Sequence, residues 1–336
     1  MSRKVIPRKR FAPMPGPARL APEAVQHRPA LPASARARRA RTAGTDQDRS
    51  HVTAFRGPGC GLGSHRRPGR RRLTLRQPET ANTGAGMDVE SRIDAFVSTH
   101  PSRAVVVQSL RGSPVCVQRH ASRVFPAASL MKVPLAITTL EQLDAEQTVS
   151  RSDLGTTAYP SLLEVFDEQH TFTLRELCCL MLSTSDNPIG SYLTDRVGMT
   201  AVTQTAHRIG AVETCMRVGF TDDELAAPAR QSTTTAADMS LILEYTASQP
   251  HLQTMVRAMR NSMRNFRLPL RLPDELPVAH KTGSLRGLAH DAGILYGRDR
   301  DVVAVFLTDD QSDTAHVGME IGDCIADVWR LLGEAV

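Results

Sequence analysis

A serine and a lysine lie three positions apart in the stretch ASLMKVP, where Ser129 and Lys132 stand at the predicted start of a helix. Side chains at positions i and i+3 share one face of a helix, so the Lys132 amine would lie within reach of the Ser129 hydroxyl. A serine hydroxyl is a weak nucleophile until a neighbouring base takes its proton. The pair therefore has the residue types of a nucleophile and its base, although an ordinary capped helix would show the same four letters.

Two further short patterns follow along the chain. The letters SDN at 185–187 form a turn after the apolar helix LCCLML, and the letters KTGS at 281–284 lie near the end of a predicted strand. Taken singly, the first is an ordinary turn and the second a solvated strand end. Their order, together with the Ser-x-x-Lys pair and on these element types, indicates that the three patterns share a function.

The lysine content of the chain favours the same interpretation. Residues 87–336 contain only two lysines, Lys132 and Lys281, against 20 arginines. An arginine keeps its charge in proteins, whereas burial can lower the pKa of a lysine until the amine is neutral. Both lysines lie inside the patterns, which indicates a need for amines that can lose a proton.

The periodicity after Met87 predicts the elements that position these residues. An amphipathic helix (DVESRIDAFVST) precedes a hairpin of two strands, RAVVVQSL and PVCVQR, and a helix runs from Ser129 to about Asp144. Helical patterns occupy residues from about 145 to 265. Three strands then follow (PVAHKTGSL, DAGILYG and DVVAVFLTD), and a long amphipathic helix closes the chain.

Strands from both ends of the chain must share one sheet. We therefore predict an α/β (α+β) fold in which an antiparallel sheet is flanked by the terminal helices and carries an inserted all-helical subdomain. Ser129, Ser185 and Lys281 would face the seam between the sheet and the insert.

The patterns Ser-x-x-Lys, Ser-Asp-Asn and Lys-Thr-Gly occur together in class A β-lactamases and penicillin-binding proteins, and residues 87–336 resemble that serine hydrolase family. The stretches TLRELCCLMLSTSDN, STTTAADM and HKTGSLRGLAHDAGIL are similar to the corresponding parts of the family. The resemblance implies a β-lactamase/transpeptidase-like fold. It also implies hydrolysis of the β-lactam amide through a Ser129 acyl-enzyme, with a role in antibiotic resistance or β-lactam catabolism.

The resemblance further implies a role for each residue. Ser129 would be the nucleophile, Lys132 its base, and Ser185 a proton relay to the leaving nitrogen. The backbone N–H groups of Ser129 and Ser284 would form the oxyanion hole. The predicted substrate-binding residues hold an amide carbonyl or a carboxylate: Asn187, Lys281, Thr282, Gly283 and Ser284.

The chain departs from the family where the acyl-enzyme is hydrolysed. The family activates water with a glutamate in a Glu-x-x-Leu-Asn stretch, and the corresponding region, VGFTDDELAAPARQSTTT, lacks that pattern. Glu224, or Asp222 and Asp223, are candidates for the base, and a solvated acidic turn is the alternative. Without such a base, the enzyme would form a long-lived adduct with β-lactams.

Two other residues, Tyr159 and Cys178, correspond to positions that have a role in the resembled family. Tyr159 is either the aromatic wall of the cleft mouth or a surface loop residue. Cys178 occupies the position of one half of a family disulfide, but the partner position is Ala136, so we expect no bridge there. None of the six cysteines has zinc-site spacing, and we expect buried, reduced thiols. We expect no metal and no cofactor.

Residues 1–86 differ from the rest of the chain in composition. They hold 17 arginines and two lysines against four acidic residues, and they are rich in proline, glycine and alanine. Such a segment cannot bury enough apolar surface to order itself, so we predict a disordered extension before a domain spanning 87–336. No apolar run typical of a signal peptide or a membrane span follows its arginines, so the localisation is left open, although the resembled family is usually exported.

The sequence leaves three classes of function open. The first is a β-lactamase acting on a small β-lactam or a related amide or ester, as a monomer. The second is a penicillin-binding, peptidase-like or esterase-like acyltransferase with slow deacylation. The third is a non-catalytic binder that uses the basic extension to attract nucleic acid or anionic lipid. The arginine clusters lack interleaved aromatic residues, which disfavours a nucleic-acid partner.

Overall fold

The computed structural model describes residues 87–221 and 231–334, so the predictions for residues 1–86 and for Asp222, Asp223 and Glu224 lie outside the described residues. These ranges contain eight α-helices: α1 Val89–Ser98, α2 Lys132–Gln142, α3 Leu174–Thr184, α4 Asn187–Val197, α5 Met199–Ile209, α6 Ala236–Ser248, α7 Gln253–Arg260 and α8 Thr314–Leu331. None of these helices is both long and apolar enough to cross a bilayer.

Five strands form the main sheet, in the order β2-β1-β9-β8-β7, and every neighbouring pair is antiparallel. Their bounds are β1 Arg103–Arg111, β2 Cys116–Arg119, β7 Val278–Leu285, β8 Leu288–Tyr296 and β9 Asp301–Thr308. The first two come from the start of the domain and the last three from its end. The predicted sheet is therefore confirmed.

The sheet is buried on both faces because its strands alternate between two cores. In β1, Val105 and Val107 pack with the terminal helices α1 and α8, whereas Ala104 and Val106 pack with the helices of the insert. This alternation follows from the two-residue period of a strand. Against the terminal helices, the rings of Phe96 and Phe306 meet edge to face at 5.2 Å.

The insert is not purely helical, in contrast to the prediction. Strand β4 (Thr148–Ser150) pairs with β5 (Thr171–Thr173), and β3 (Phe125–Pro126), which precedes α2, pairs with β6 (Thr233–Thr234). Strands of two or three residues are too short to show a hydrophobic period, so pattern reading could not find them.

The cysteines in the described ranges are free thiols, and they differ in exposure. Cys178 and Cys324 are buried, and burial raises the pKa of Cys324 to about 12. Cys116 is exposed on β2. Cys179 and Cys215 are half-buried. The expectation of buried thiols is therefore met only in part by these two and is wrong for Cys116, because the short edge strand β2 turns that side chain outward.

Candidate active site

Ser129 lies in a 3₁₀-helix, Ala128–Met131, that leads into α2. The prediction that an α-helix begins at Ser129 is therefore wrong. The Leu130 N–H donates to the Ala127 carbonyl at 3.1 Å, three residues back, and Ala128 has a φ of 48°, which is strained for a residue with a Cβ. Residues i and i+3 eclipse in a 3₁₀-helix, so this entry aligns Ser129 with Lys132.

The Lys132 amine is fully buried and has three close oxygen neighbours. Its Nζ donates to Asn187 Oδ1 at 2.6 Å and to the Ser185 carbonyl at 2.8 Å, and it lies 3.3 Å from Ser129 Oγ. A neutral amine has two N–H groups and one lone pair. In the neutral amine the two shorter contacts can use the N–H groups, which leaves the lone pair of Nζ for a proton from Ser129.

Ser185 joins the two lysines of the site. It ends α3 in the left-handed conformation, with a φ of 65°, and Asp186 then caps α4 by accepting from the Ile189 N–H at 3.2 Å. The Ser185 hydroxyl accepts from Lys281 Nζ at 2.9 Å and lies 3.5 Å from Lys132 Nζ. A proton can therefore pass between either amine and the hydroxyl.

The Asp186 carboxylate fixes the loop that faces this turn. It is buried, and it accepts from the Ser161 hydroxyl at 2.6 Å and from the Leu162 N–H at 3.2 Å. Sequence reading placed Asp186 in a turn and gave it no further role. The structure shows that its side chain ties the loop of Tyr159 and Ser161 to the Ser185 turn.

Strand β7 carries the Lys-Thr-Gly-Ser segment along the cleft. Lys281, Thr282 and Gly283 are buried and Ser284 is exposed. A Cβ at Gly283 would lie 3.2 Å from both His290 Cβ and Leu130 Cγ, closer than nine in ten real contacts, so glycine lets β7 approach the 3₁₀-helix of Ser129.

Behind β7, a buried arginine holds the strand in place. Arg267 Nη2 donates to Ser284 Oγ at 2.7 Å, and Nη1 donates to the Gly283 carbonyl at 2.9 Å and also to the His290 carbonyl. The guanidinium thus supports the strand segment that was predicted to bind a carboxylate.

Burial lowers the pKa of both lysines of the site. Burial, followed by the nearby Lys281 and Arg264 charges, holds the pKa of Lys132 well below its ordinary value, against the opposing effect of Asp186. Burial and then Arg264 lower the pKa of Lys281 to about 7, against the opposing effect of Asp291. Lowering the pKa of Lys132 favours its neutral form, which has the lone pair that a general base needs.

His290 is a buried positioning residue on β8. Burial lowers its pKa to about 4, so the ring is neutral near pH 7. Its Nε2 donates to the Pro126 carbonyl at 2.8 Å, and its Nδ1 accepts from the Thr308 N–H at 3.0 Å. The ring therefore fixes the chain just before Ser129 to the middle of the sheet.

A cleft of about 540 Å³ brings these pieces together. Tyr159, 56 % exposed, lies at the cleft, so this residue is both exposed and cleft-lining. Lys132 and Lys281 lie behind the cleft surface and reach it through the hydroxyls of Ser129 and Ser185. The lining residues are Ala128, Ser129, Tyr159, Pro160, Ser185, Asn187, Arg264, Thr282, Ser284, Leu285 and Arg286.

An aromatic residue that the sequence analysis did not single out contacts Lys132. The Phe220 ring centroid lies 4.5 Å from Lys132 Nζ, and Phe220 is almost fully buried. A Cβ at Gly190 would come within 2.7 Å of the Phe220 ring, so a glycine in α4 makes room for it. Phe220 shows no helical or strand period, and no pattern in the sequence marks it. The same holds for Arg264 and Arg267.

Within residues 87–221 and 231–334, no three His, Cys, Asp or Glu side chains are grouped so that they could hold a metal ion.

Solved structures share this fold. The β-lactamase of Sphaerobacter thermophilus DSM 20745 superposes with a TM-score of 0.65 at 20% identity, covering 74% of this chain and 98% of that one. A β-lactamase of Chitinophaga pinensis DSM 2588 superposes with a TM-score of 0.63 at 23% identity, covering 73% of this chain and 97% of that one. PBP-A superposes with a TM-score of 0.64 at 20% identity, covering 73% of this chain and 96% of that one. At these identities the likeness shows the fold alone.

Sequence comparison defines the family. No curated protein matches the chain significantly. Residues 88–329 match the model of the beta-lactamase enzyme family, which covers well over half of the chain and contains all three patterns. The protein is thus a serine hydrolase-type member of the beta-lactamase enzyme family.

Proposed function

We propose that this protein opens the amide bond of β-lactams through an acyl-enzyme on Ser129. One observation carries the proposal. Lys132 Nζ lies 3.3 Å from Ser129 Oγ while its two shorter contacts, to Asn187 and to the Ser185 carbonyl, occupy its N–H groups. The amine is therefore oriented as a base toward Ser129, the nearer of the two cleft hydroxyls beside it; the other, Ser185 Oγ, lies at 3.5 Å.

The proposed acylation proceeds in balanced steps. Lys132 takes the Ser129 proton while Oγ bonds to the carbonyl carbon, and the backbone N–H groups of Ser129 and Ser284 stabilise the oxyanion. The carbon–nitrogen bond then breaks as Ser185 gives its proton to the leaving nitrogen. Lys132, now protonated and 3.5 Å from Ser185 Oγ, returns a proton to that hydroxyl.

Substrate binding follows from the donors on either side of Ser129. Asn187 Oδ1 is occupied by Lys132, so its Nδ2 is left to donate to an amide carbonyl of the substrate. Thr282 and Ser284 line the cleft on the other side, with Lys281 and Arg267 behind them. We propose that these groups bind the substrate carboxylate and that Tyr159 borders the cleft mouth.

A substrate panel tests this function. We expect chromogenic penicillins and cephalosporins to be opened, and Ser129→Ala to remove that activity. A protein that hydrolyses chromogenic esters but opens no β-lactam would be a serine hydrolase of another specificity. Expression in a susceptible bacterium would then test whether the activity raises the tolerated β-lactam concentration, as a resistance role requires.

A second candidate function is that of a penicillin-binding acyltransferase with slow deacylation. Phe220 favours this second function. Its apolar ring lies beside Lys132 Nζ, and a water activated there for hydrolysis would need polar partners instead. Among the described residues, no carboxylate lies within hydrogen-bond distance of Lys132 Nζ. The candidate base Glu224 lies outside the described residues.

The kinetics of one penicillin separate the two candidates. Slow deacylation predicts a burst of one equivalent followed by a slow phase. If Glu224 is the deacylation base, the wild type turns over steadily and Glu224→Gln accumulates the acyl-enzyme. Fast turnover that survives joint substitution of Asp222, Asp223 and Glu224 would contradict both versions and would point to Lys132 or Ser185 as the group that activates water.

A further inference from the structure

An apolar pocket of about 320 Å³ adjoins the cleft, and we name it the apolar shelf. It contains some of the most exposed large apolar side chains of the described residues: Val165 is 73 % exposed, Met263 72 % and Phe266 45 %. Exposed apolar groups that cluster beside a catalytic cleft mark a binding surface more often than scattered single residues do. The shelf is lined by Pro160, Ser161, Leu162, Val165, Thr184, Met263, Arg264 and Phe266.

The shelf is continuous with the cleft on the side of the leaving group. Pro160 and Arg264 line both spaces. Thr184, which lines the shelf, directly precedes Ser185, the residue that would protonate the leaving nitrogen. A substituent on the leaving-group side of a bound substrate would therefore extend past Ser185 onto the shelf.

Both walls of the shelf are anchored to the Ser185 turn. On one wall, Ser161 caps the 3₁₀-helix Leu162–Val165 and donates to Asp186. On the other, the Met263 N–H donates to the Ser183 carbonyl at 2.9 Å and Arg264 Nε to the Thr184 carbonyl at 3.3 Å. The shelf therefore keeps a fixed position relative to the reacting atoms.

The charge of this region selects against cations. Arg264 has no carboxylate within ion-pair distance among the described residues, and no acidic side chain of that part of the chain lines either the shelf or the cleft. Arg264 also contributes to the lowered pKa of both lysines, which places its charge near them. A second cation brought here by a substrate would be repelled.

We propose that the apolar shelf binds an uncharged or anionic apolar substituent on the leaving-group side of the substrate, and that Arg264 disfavours cationic substituents there. The inference rests on the proposed β-lactam reaction. It names the substrate class within that reaction: β-lactams with a bulky aryl group on the ring that carries the leaving nitrogen.

Three cephalosporins with one common acyl side chain test the proposal. They carry a methyl, an aryl-vinyl or a pyridiniummethyl group at ring position 3. The rate constant of acylation is measured for wild type and for the double variant Met263→Ala/Phe266→Ala. Intrinsic reactivity differs between the compounds, so the informative quantity is how the rate ratios change between proteins.

We expect the aryl-vinyl to methyl ratio to fall about tenfold in the double variant, the lower end of the range for losing apolar contact in a pocket. Leu331→Ala is the matched control, because Leu331 is 42 % exposed at the C-terminal end of α8, the opposite end of the helix from Gly318, which packs against the Phe266 backbone. The control should keep the wild-type ratio. Arg264→Gln should raise the pyridiniummethyl to methyl ratio, and Arg264→Lys should not.

The outcomes separate this inference from the function beneath it. An unchanged aryl-vinyl to methyl ratio in the double variant, with the methyl compound still acylating Ser129, would overturn the shelf and leave the proposed function standing. An unchanged pyridiniummethyl ratio in Arg264→Gln would overturn the charge selection. If none of the three compounds acylates the wild type, the proposed function and the shelf both fail.

Discussion

Lys132 has two kinds of neighbour, supplied by different regions of the chain, and they act on its amine in different ways. The turn at 185–187 presents oxygen atoms that orient the amine. The segment ending in Phe220 presents an aromatic face that excludes water from it. In our proposal the first region prepares the amine as the base for acylation, whereas the described part of the second places an aromatic ring beside it.

The aromatic contact also has an opposing effect on the Lys132 pKa. A ring face attracts an ammonium group, by about 1 kcal/mol, which favours the protonated amine. Removing an ammonium from water costs several kcal/mol, which favours the neutral amine. Desolvation is therefore the larger effect, in agreement with the lowered pKa of Lys132, whose largest cause is burial.

The largest expected effect comes from replacing the base. Lys132→Arg should slow acylation by penicillin about 10³-fold, because a guanidinium does not deprotonate near neutral pH. Lys281→Arg is the matched control and should be less damaging, since we propose that this position binds the substrate carboxylate, which an arginine can also do. Thermal melting shows whether each variant folds. Equal losses in both folded variants would mean that Lys132 is not the base.

Phe220→Ala sharpens the comparison between the two neighbours of Lys132. Loss of the ring admits water, which should raise the Lys132 pKa and slow acylation about tenfold at pH 7, with recovery at higher pH. Phe220→Leu keeps an apolar cover and should stay near the wild type. The pH profile of acylation is the measurement. If the pH profile of Phe220→Ala is the same as that of the wild type, the ring does not desolvate the amine.

Arg264→Ala should have a smaller effect of the same sign. Acylation needs neutral Lys132, so its rate rises with pH along the acidic limb. Removing a nearby cation raises the pKa values of Lys132 and Lys281, so the limb should move to higher pH and the rate should fall more at pH 6 than at pH 9. In Arg264→Lys the acidic limb of the pH–rate profile should stay at its wild-type position. A shift of the limb to lower pH in Arg264→Ala would contradict this account.

Deletion of residues 1–86 should have the smallest effect. The three patterns all lie beyond this segment, so we expect the acylation rate and the melting temperature to stay the same. A fall in either quantity would show that the segment supports the domain.

Local patterns predicted the parts of the site that short stretches define. Ser129 with Lys132, the Ser185 turn and the Lys281 strand each show in a few consecutive letters, and the sheet shows in the short apolar runs of β1 and β9. The fold places these pieces together because strands from both ends of the chain share one sheet.

The rest of the site depends on tertiary contacts that leave no local signal. Phe220 contacts Lys132 through a segment without periodicity, and Arg264 reaches the cleft from a loop that docks on the end of α3. The 3₁₀ entry at Ser129 also escaped prediction, because it depends on the strained Ala128 rather than on residue preference.

The central claim is that Ser129 forms the acyl-enzyme, and intact-mass analysis with peptide mapping tests it most directly. After rapid mixing with a penicillin and quenching with acid during the first turnover, we predict a single adduct equal to the mass of the whole drug, located on the peptide that contains Ser129 and absent from Ser129→Ala. An adduct on another residue, or an equal adduct in the folded Ser129→Ala variant, would contradict the account.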